Sequence, residues 1–379
     1  MGFQRPTGCG VTMPSVIHVV TAPDGGGAER LVRELTERLP AHGVQAQAIY
    51  YRNPRGVELS EGESSLGLRS VRGLGAWRRL RGALRERGVG DGMCVVHAHL
   101  TWPLYHLALL RREICGPMVF TEHNTHNRRR ENPWFRPVER VVYRRYDRLV
   151  AISEGTREAL AGWLVDEDLS ARIVTIENGS RMLPLVQREP RPSGAARLIS
   201  VGSLSPQKGF DVALRAIGAL GDRVERYTIV GEGPERGRLE SLVKELGLQG
   251  KVRLPGYCDD VASYLHEADL GVIPSRWEGF GLVAVEALST GMPLVASDVP
   301  GLRGVVADCE ATILTPPEDA AELENRLRYA IEHLVGRDNV SGAARSRAER
   351  FTLDAMVARY AALYKRVSVE TIRGQGRFS

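Results

Sequence analysis

The chain has 379 residues, of which 43% are hydrophobic and 26% are charged, and its net charge is +5. This length predicts two domains, and the composition is that of an ordinary globular protein rather than a disordered or fibrous one. The five cysteines are odd in number and form no CxxC pair, which argues against a disulfide framework and a zinc site. No run of about 18 apolar residues occurs, and residues 1–14 lack the apolar core of a signal peptide. We therefore expect a cytoplasmic protein, whose mild positive charge suits an anionic substrate or an anionic membrane surface.

The first half of the chain opens with a strand, a glycine turn and a helix. Residues 15–21 form an apolar run typical of a buried parallel strand, and leucines at helical spacing begin at Leu31. Gly26 and Gly27 lie between them, and a helix start with glycines is able to hold a phosphate. The same order of elements is also typical of a plain tight turn before a helix, and the residues alone leave both interpretations open.

A basic helix is predicted over residues 74–87. Its leucines and Trp77 share one face, and five arginines flank that face. A helix of this composition is able to lie on the inner face of an anionic membrane. A solvated helix that packs through its leucine face is the alternative, so peripheral membrane contact stays an open prediction.

Histidines end two predicted strands in the first half. The strand over residues 93–97 leads through a His-Ala-His run to His99, and the strand over 118–122 leads into His123 and Asn124. Open α/β sheets bind ligands at the carboxyl ends of their strands, so we expect these side chains to face one cleft. No spacing typical of a metal site accompanies them, and we expect no metal there.

A cluster of arginines follows these two strands. It begins with Arg128 and Arg129 and resumes at Arg144. Guanidinium groups suit the phosphate of an acceptor substrate, because they donate two parallel hydrogen bonds to it. A solvated loop with no ligand accounts for the same residues, and both interpretations stay open.

A linker rich in proline and charge spans residues 184–194, and a second series of strands and helices follows it. A strand over residues 197–201 leads into a loop that carries Ser203 and Lys208, and a helix is predicted from Asp211. Such a loop brings backbone N–H groups and one compact cation to a diphosphate. The second half therefore contains its own candidate phosphate site.

One stretch in this second series is the most suggestive of a ligand site. An apolar strand over residues 269–273 is followed by Glu278, by two glycines that flank Phe280, and by a helix predicted from Leu282. A helix start offers unpaired N–H groups and a partial positive charge, and glycines let an anion approach it closely. Glu286 lies about two helical turns after Glu278 and is able to line the same cleft.

In combination these motifs resemble the signature of the retaining glycosyltransferases of family 4, and the resemblance covers most of the chain. It is carried by the run Glu278 to Gly281 closed by Glu286, by Gly291-Met292-Pro293 and by residues 297–301. The resemblance implies an α/β protein with two Rossmann-like domains facing across a cleft, the GT-B fold. It also implies transfer of a sugar from a nucleoside diphosphate to an acceptor hydroxyl, with retention at the anomeric carbon.

The resemblance assigns roles to individual residues. His123 is expected to contact the sugar near the transferred position, Glu278 the sugar hydroxyls, and Lys208 the departing diphosphate; these three are the expected catalytic residues. The residues expected to bind the donor are Gly26, Gly27, Ser203, Lys208, Gly233, Gly279, Phe280, Gly281, Leu282 and Glu286, the last on the ribose. The residues expected to bind the acceptor are His99, Asn124, Arg128 and Arg129.

Two positions depart from the pattern of the family. Ser203 stands where the family usually carries an arginine, which leaves Lys208 as the single cation of its loop. Arg181 stands where an aspartate often follows Asn178-Gly179, and no role is carried over to it.

The expected domains are residues 1–183 for the acceptor and 195–351 for the nucleotide sugar. Residues 352–379 are expected to form a helix, packed back on the first domain, and a loose tail from Arg373. The expected partners are the nucleotide sugar and a hydroxyl acceptor, without nucleic acid. No cofactor or metal is expected, because Lys208 and the helix start after Glu278 supply the positive charge.

Two functions of other classes stay open. A nucleotide-sugar 2-epimerase would use the same fold with acid–base carboxylates and no acceptor. A basic module that binds a membrane surface or nucleic acid would need neither Lys208 nor Glu278, and its binding would depend steeply on salt.

Overall fold

The structure is a computed structural model that describes residues 13–89, 94–189 and 194–375. Several predicted features lie outside these residues: the polar stretch at 1–12, the first residue of the strand at 93–97, part of the linker and the end of the tail. The chain folds into two compact units. The first unit comprises Met1–Thr121, Val141–Leu149 and Val357–Ser379, and the second comprises Glu122–Arg140 and Val150–Met356.

The first half of the chain supplies a seven-stranded sheet. Its strands are β1 (Ser15–Val20), β2 (Gln45–Tyr50), β3 (Glu63–Ser65), β4 (Cys94–His99), β5 (Met118–Glu122), β6 (Arg148–Ala151) and β7 (Ile173–Thr175), in the order β3-β2-β1-β4-β5-β6-β7. β1 runs parallel to both β2 and β4, with His18 opposite Ala48 on one side and His97 on the other. Its residues are nearly all buried, as the continuous apolar run predicted.

Within the described residues, six α-helices connect these strands. They are α1 (Gly27–Arg38), α2 (Leu74–Glu86), α3 (Thr101–Leu110), α4 (Arg136–Tyr143), α5 (Glu154–Leu164) and α6 (Glu167–Ala171), with 3-10 turns at Leu39–His42, Arg128–Glu131 and Pro133–Phe135. The predicted basic helix is α2. Its Leu80 and Leu84 are buried, and Arg81 and Arg85 both bind Glu113 at 2.8 Å. Part of the predicted membrane-facing charge thus has partners within the protein.

The second half supplies a six-stranded sheet. Its strands are β8 (Ala196–Val201), β9 (Val224–Val230), β10 (Val252–Gly256), β11 (Leu270–Ile273), β12 (Leu294–Ser297) and β13 (Thr312–Thr315), in the order β10-β9-β8-β11-β12-β13. The chain moves outward from β8 to β10 and then returns to place β11 on the other side of β8. The strand order therefore reverses between β8 and β11, which is where such sheets bind ligands.

The helices of the second half are α7 (Phe210–Leu220), α8 (Arg236–Glu245), α9 (Ala262–Glu267), α10 (Leu282–Ser289), α11 (Pro300–Val306), α12 (Ala320–His333) and α13 (Asp338–Ala348), with 3-10 turns at Pro206–Lys208, Gly221–Arg223 and Glu349–Phe351. They pack in two apolar clusters. One joins α7, α8 and α12, as through Leu214, Leu239 and Leu327, and the other joins α10 and α11 through Val285 and Leu302. Burial of these side chains is the main favourable term in folding the unit.

The last helix, α14 (Leu353–Gln375), returns to the first unit from Val357 onward. Within that unit the hydroxyl of Tyr364 lies 2.7 Å from His97 Nδ1. The helix continues to Gln375, so the loose tail predicted from Arg373 is wrong for its first three residues. Among the described helices, none is both long enough and apolar enough to cross a bilayer.

Candidate active site

Two loops of the second unit leave the carboxyl ends of β8 and β11, the adjacent strands at which the strand order reverses. The loop after β8 carries Ser203 and Lys208, and the loop after β11 carries Glu278. These strands pair in parallel with Leu270 opposite Leu198, so both loops emerge at the same edge of the sheet. The fold therefore brings Lys208 and Glu278, two of the three predicted catalytic residues, to one place.

Lys208 and Glu278 form an ion pair. Lys208 Nζ lies 2.6 Å from Glu278 Oε1, and Ser275 Oγ donates to the same oxygen at 2.8 Å. The side chains of Lys208 and Glu278 are only 20% and 8% exposed, so the pair is largely shielded from water. Within the described chain Glu278 Oε2 accepts no hydrogen bond, and an ammonium group has two further N–H groups to donate. The pair thus presents both an acceptor and a cation to a ligand.

Backbone packing fixes the lysine loop. Lys208 ends the 3-10 turn Pro206–Lys208, and Gly209 then adopts the left-handed conformation with φ of 63°. A Cβ on Gly209 would lie 2.1 Å from the carbonyl oxygen of Pro274, so no larger residue fits there. Gln207 Nε2 also donates to the carbonyl oxygen of Trp277 at 3.0 Å. The two loops therefore contact each other on both sides of Lys208.

The glycine turn before α10 packs directly against neighbouring backbone. The carbonyl oxygen of Gly279 accepts a hydrogen bond from Ser153 Oγ at 2.6 Å. A Cβ on Gly279 would lie 2.1 Å from the carbonyl oxygen of His123, and a Cβ on Gly301 would lie 1.9 Å from that of Glu278. Substitution at either glycine would move the backbone that carries Glu278. The turn is thus held by contacts within the second unit.

The start of α10 is available for an anion through its backbone. Gly281 caps the helix with φ of 97°, and the helix begins at Leu282, whose N–H group has no acceptor one turn earlier. The side chain of Phe280 is buried, with its ring 5.5 Å from that of Phe351. The ring of Phe280 therefore stabilises the core of the second unit.

Glu286 lies on α10 and is 2% exposed. Its Oε1 lies 3.5 Å from the Nε atom of Arg181, whose side chain is 36% exposed. Arg181, one of the two residues that depart from the family pattern, thus lies beside the carboxylate expected to bind the ribose. The sequence alone shows that Arg181 departs from the family pattern. It does not show that Glu286, about 100 residues later, lies beside it.

Two other predicted donor residues lie in the loops after β8 and β9, where Gly233 has a packing role and Ser203 is exposed. A Cβ on Gly233 would lie 2.4 Å from the carbonyl oxygen of Leu204, and Leu204 N–H donates to the carbonyl oxygen of Glu232 at 2.9 Å. Close packing between the loops after β8 and β9 therefore explains the glycine without a ligand. Ser203 Oγ lies 3.1 Å from Ser205 Oγ in an exposed position.

His123, which follows β5, belongs to the second unit and is buried at 8% exposure. Burial lowers the pKa of His123 to about 3, because a charged imidazole would lose its hydration. The imidazole is therefore neutral near pH 7 and is able either to donate to or to accept from a sugar hydroxyl. The predicted acceptor residue Asn124 is half-buried beside it.

Comparison with known proteins gives two family matches. Residues 25–180 match the model described as Glycosyltransferase Family 4, and residues 185–347 match the model described as Glycosyl transferases group 1. The chain is 31% identical over 291 residues to the glycogen synthase of Mycobacterium tuberculosis, which covers 71% of this chain and 68% of that protein. The chain belongs to glycosyltransferase family 4.

Other similarities extend over more of this glycosyltransferase. The D-inositol 3-phosphate glycosyltransferase of Geodermatophilus obscurus is 28% identical over 400 residues, covering 93% of this chain and 88% of that protein. The crystal structure of Anabaena HepE in complex with UDP and glucose superposes with a TM-score of 0.78 at 19% identity, covering 93% of this chain and 100% of that chain. The predicted family and the predicted GT-B fold are confirmed.

The predicted acceptor residue His99 lies in the interior of the first unit of this glycosyltransferase. It ends β4 as predicted, yet it is fully buried, and its Nε2 lies 3.0 Å from His18 Nδ1. His18, His97 and His99 are close enough to offer nitrogens to one metal ion. However, both ring nitrogens of His97 already lie 2.7 Å from the hydroxyls of Thr121 and Tyr364, so a hydrogen-bonded network explains the cluster.

The remaining predicted residues divide between exposed and structural positions. Gly26 caps α1 and Gly27 begins it, and both are exposed, so the predicted turn and helix start are present. Arg128 is exposed as well. Arg129 Nη1 instead lies 2.9 Å from the fully buried carboxylate of Glu139, where it stabilises the second unit.

Proposed function

We propose that this glycosyltransferase moves a sugar from a nucleoside diphosphate sugar to an acceptor hydroxyl, with retention at the anomeric carbon and without a metal ion. The observation that carries the proposal is the shielded Lys208–Glu278 pair beside the start of α10, with Glu286 further along that helix. A cation, a helix start and two carboxylates suit a diphosphate joined to two polyols, which are the ribose and the sugar.

The reaction breaks the bond between the anomeric carbon and the diphosphate oxygen. The acceptor oxygen forms a bond to the same face of that carbon, and its proton passes to the departing phosphate. Negative charge therefore grows on the diphosphate in the transition state. The two further N–H groups of Lys208 and the N–H groups that begin α10 supply positive potential for that charge.

The other residues position the donor. Glu278 Oε2 accepts a hydroxyl of the transferred sugar, while its Oε1 stays bound to Lys208 and Ser275. The neutral imidazole of His123 binds a second hydroxyl without adding a charge near the reacting carbon. Glu286 accepts the ribose hydroxyls. Because Lys208 takes the place of a divalent cation at the diphosphate, we propose that transfer needs no metal.

The domain assignment follows the family. We assign the acceptor to residues 1–183 and the donor to residues 195–351, with residues 352–379 completing the acceptor domain. Anabaena HepE was solved with UDP and glucose, which makes uridine nucleotides the first donors to test.

A thermal-shift screen of sugar nucleotides carrying uridine, guanosine, adenosine and thymidine tests the proposal. We expect one nucleotide series to raise the melting temperature of the wild type and not that of Lys208→Ala. Nuclear magnetic resonance of the product, made from an α-linked donor, should then show an α-linkage. A β-linked product would contradict retention, and conversion of the donor sugar without any acceptor would favour the 2-epimerase.

A further inference from the structure

Arg181 lies beside the proposed nucleotide site and has no role in the proposed reaction. Its Nε atom is 3.5 Å from Glu286 Oε1. Hydrogen bonds between charged nitrogen and oxygen atoms are about 2.7–2.9 Å long, so the two groups attract each other without a direct hydrogen bond. Arg181 Nε is buried, and it donates to no acceptor within the described residues.

The backbone that carries Arg181 is fixed in place. The N–H group of Ser180 donates to the carbonyl oxygen of Phe351 at 2.9 Å, and the N–H group of Leu183 donates to Ser289 Oγ, at the end of α10, at 3.0 Å. Residues on both sides of Arg181 are therefore tied to the second unit. The fold therefore fixes the backbone position from which the side chain of Arg181 reaches Glu286.

A carboxylate and a guanidinium together satisfy both the donor and the acceptor of a hydroxyl. A carboxylate only accepts hydrogen bonds, a guanidinium only donates them, and each hydroxyl does both. The vicinal hydroxyls of a ribose thus fit a paired Glu and Arg better than a Glu alone. The Nε donor of Arg181 lies 3.5 Å from that carboxylate and donates to no acceptor within the described residues.

We propose that Arg181 is a specificity-determining residue of the donor site, which binds the ribose hydroxyls of the nucleotide jointly with Glu286. The proposal rests on the proposed function, because it takes the ribose to be the group bound at Glu286. It differs from a role for Arg181 at the diphosphate, where it would replace the cation missing at Ser203. The ribose role predicts a loss of affinity that requires the ribose hydroxyls, whereas the diphosphate role predicts the same loss with or without them.

Calorimetry with UDP and 2′,3′-dideoxy-UDP separates the two roles, with the guanosine and adenosine pairs measured alongside. We expect Arg181→Ala to raise the Kd of the ribonucleotide about tenfold or more, the effect of losing a charge-assisted hydrogen bond. The dideoxy analogue should lose less than about threefold, since it lacks the hydroxyls. Arg197→Ala is the matched control, because it removes an Arg from a 2.8 Å pair with Glu225 in the same unit.

Two outcomes would overturn the role of Arg181, and two others would overturn the proposed function. Unchanged ribonucleotide affinity in Arg181→Ala would remove Arg181 from the site. Equal losses for UDP and the dideoxy analogue would assign Arg181 to the diphosphate or to folding, and melting temperatures without nucleotide separate those two. A wild type that binds none of the nucleotides, or a Glu286→Gln variant that binds both forms normally, would instead refute the proposed function on which the role of Arg181 rests.

Discussion

Removal of Lys208 should reveal two separable roles of its ion pair with Glu278. In Lys208→Ala the Glu278 carboxylate keeps the hydroxyl of Ser275, donated at 2.8 Å, and its side chain is only 8% exposed. Stranding one member of a fully buried pair costs about 3–5 kcal/mol. Because the lysine side chain is 20% exposed and its loss admits water, we expect the free energy of unfolding to fall by about 2–3 kcal/mol.

The double variant Lys208→Ala/Glu278→Ala tests whether the pair also acts in catalysis. It removes the stranded charge, so its stability should exceed the value expected from the sum of the single losses by about 2 kcal/mol. Its kcat/KM should stay at least about 100-fold below wild type, the loss expected for Glu278→Ala alone, which corresponds to about 2.7 kcal/mol of transition-state stabilisation. Urea denaturation and steady-state kinetics measure the two quantities. Arg226→Ala, which breaks a surface pair with Glu267 at 3.0 Å, is the control.

Recovery of both stability and kcat/KM in the double variant would refute a catalytic role, because the pair would then only brace the two loops. A Lys208→Ala enzyme with kcat/KM within about threefold of wild type would refute it equally. Recovered stability with lost activity is the result that we expect.

Three further predictions concern the same sites. If Glu286 binds the ribose as proposed, Glu286→Ala should raise KM more than it lowers kcat, because the ribose is held equally in the ground and transition states. Glu278→Ala should instead lower kcat by about 100-fold, and normal turnover in both variants would make the glycine turn purely structural. Transfer should continue in excess EDTA, and an activity lost there and restored by manganese would contradict the mechanism. Burial lowers the pKa of His18 and of His123 to about 3 from 6.5, so the unfolded chain binds protons that the folded chain does not. The free energy of unfolding, measured by urea denaturation, should therefore be highest above pH 6.5 and should fall by on the order of 2 kcal/mol per histidine by pH 5. A flat profile would show that these histidines titrate in the folded protein as they do in the unfolded chain.

The strands and the central turn were predictable because their signals are local. A buried parallel strand needs a short apolar run, and the run at residues 269–273 is β11 with one residue fewer at its start. The helix predicted from Leu282 begins there, because Gly281 adopts a conformation that glycine favours. β3 was missed, since Glu63–Ser65 is a three-residue polar segment without an apolar pattern.

The contacts of the site were less predictable because they depend on pairs distant in sequence. The spacing of Glu278 and Glu286 placed both on one turn and helix, yet nothing local indicated that Arg181 lies beside the second carboxylate. The position of His99 at a strand end was correct, but only tertiary packing determines that its ring is buried against His18. Motifs thus predicted the segments that carry the candidate site, and the fold determines which of their side chains lie together.

The first unit is assembled from segments that lie far apart along the chain. The hydroxyl of Tyr364 lies 2.7 Å from His97, which precedes it by 267 residues. A ribosome releases α14 only after it has released nearly every segment of the second unit, which ends at Met356. The buried polar groups of β4 therefore lack their hydrogen-bond partner during most of synthesis. The unit whose synthesis begins first is the one that is completed last.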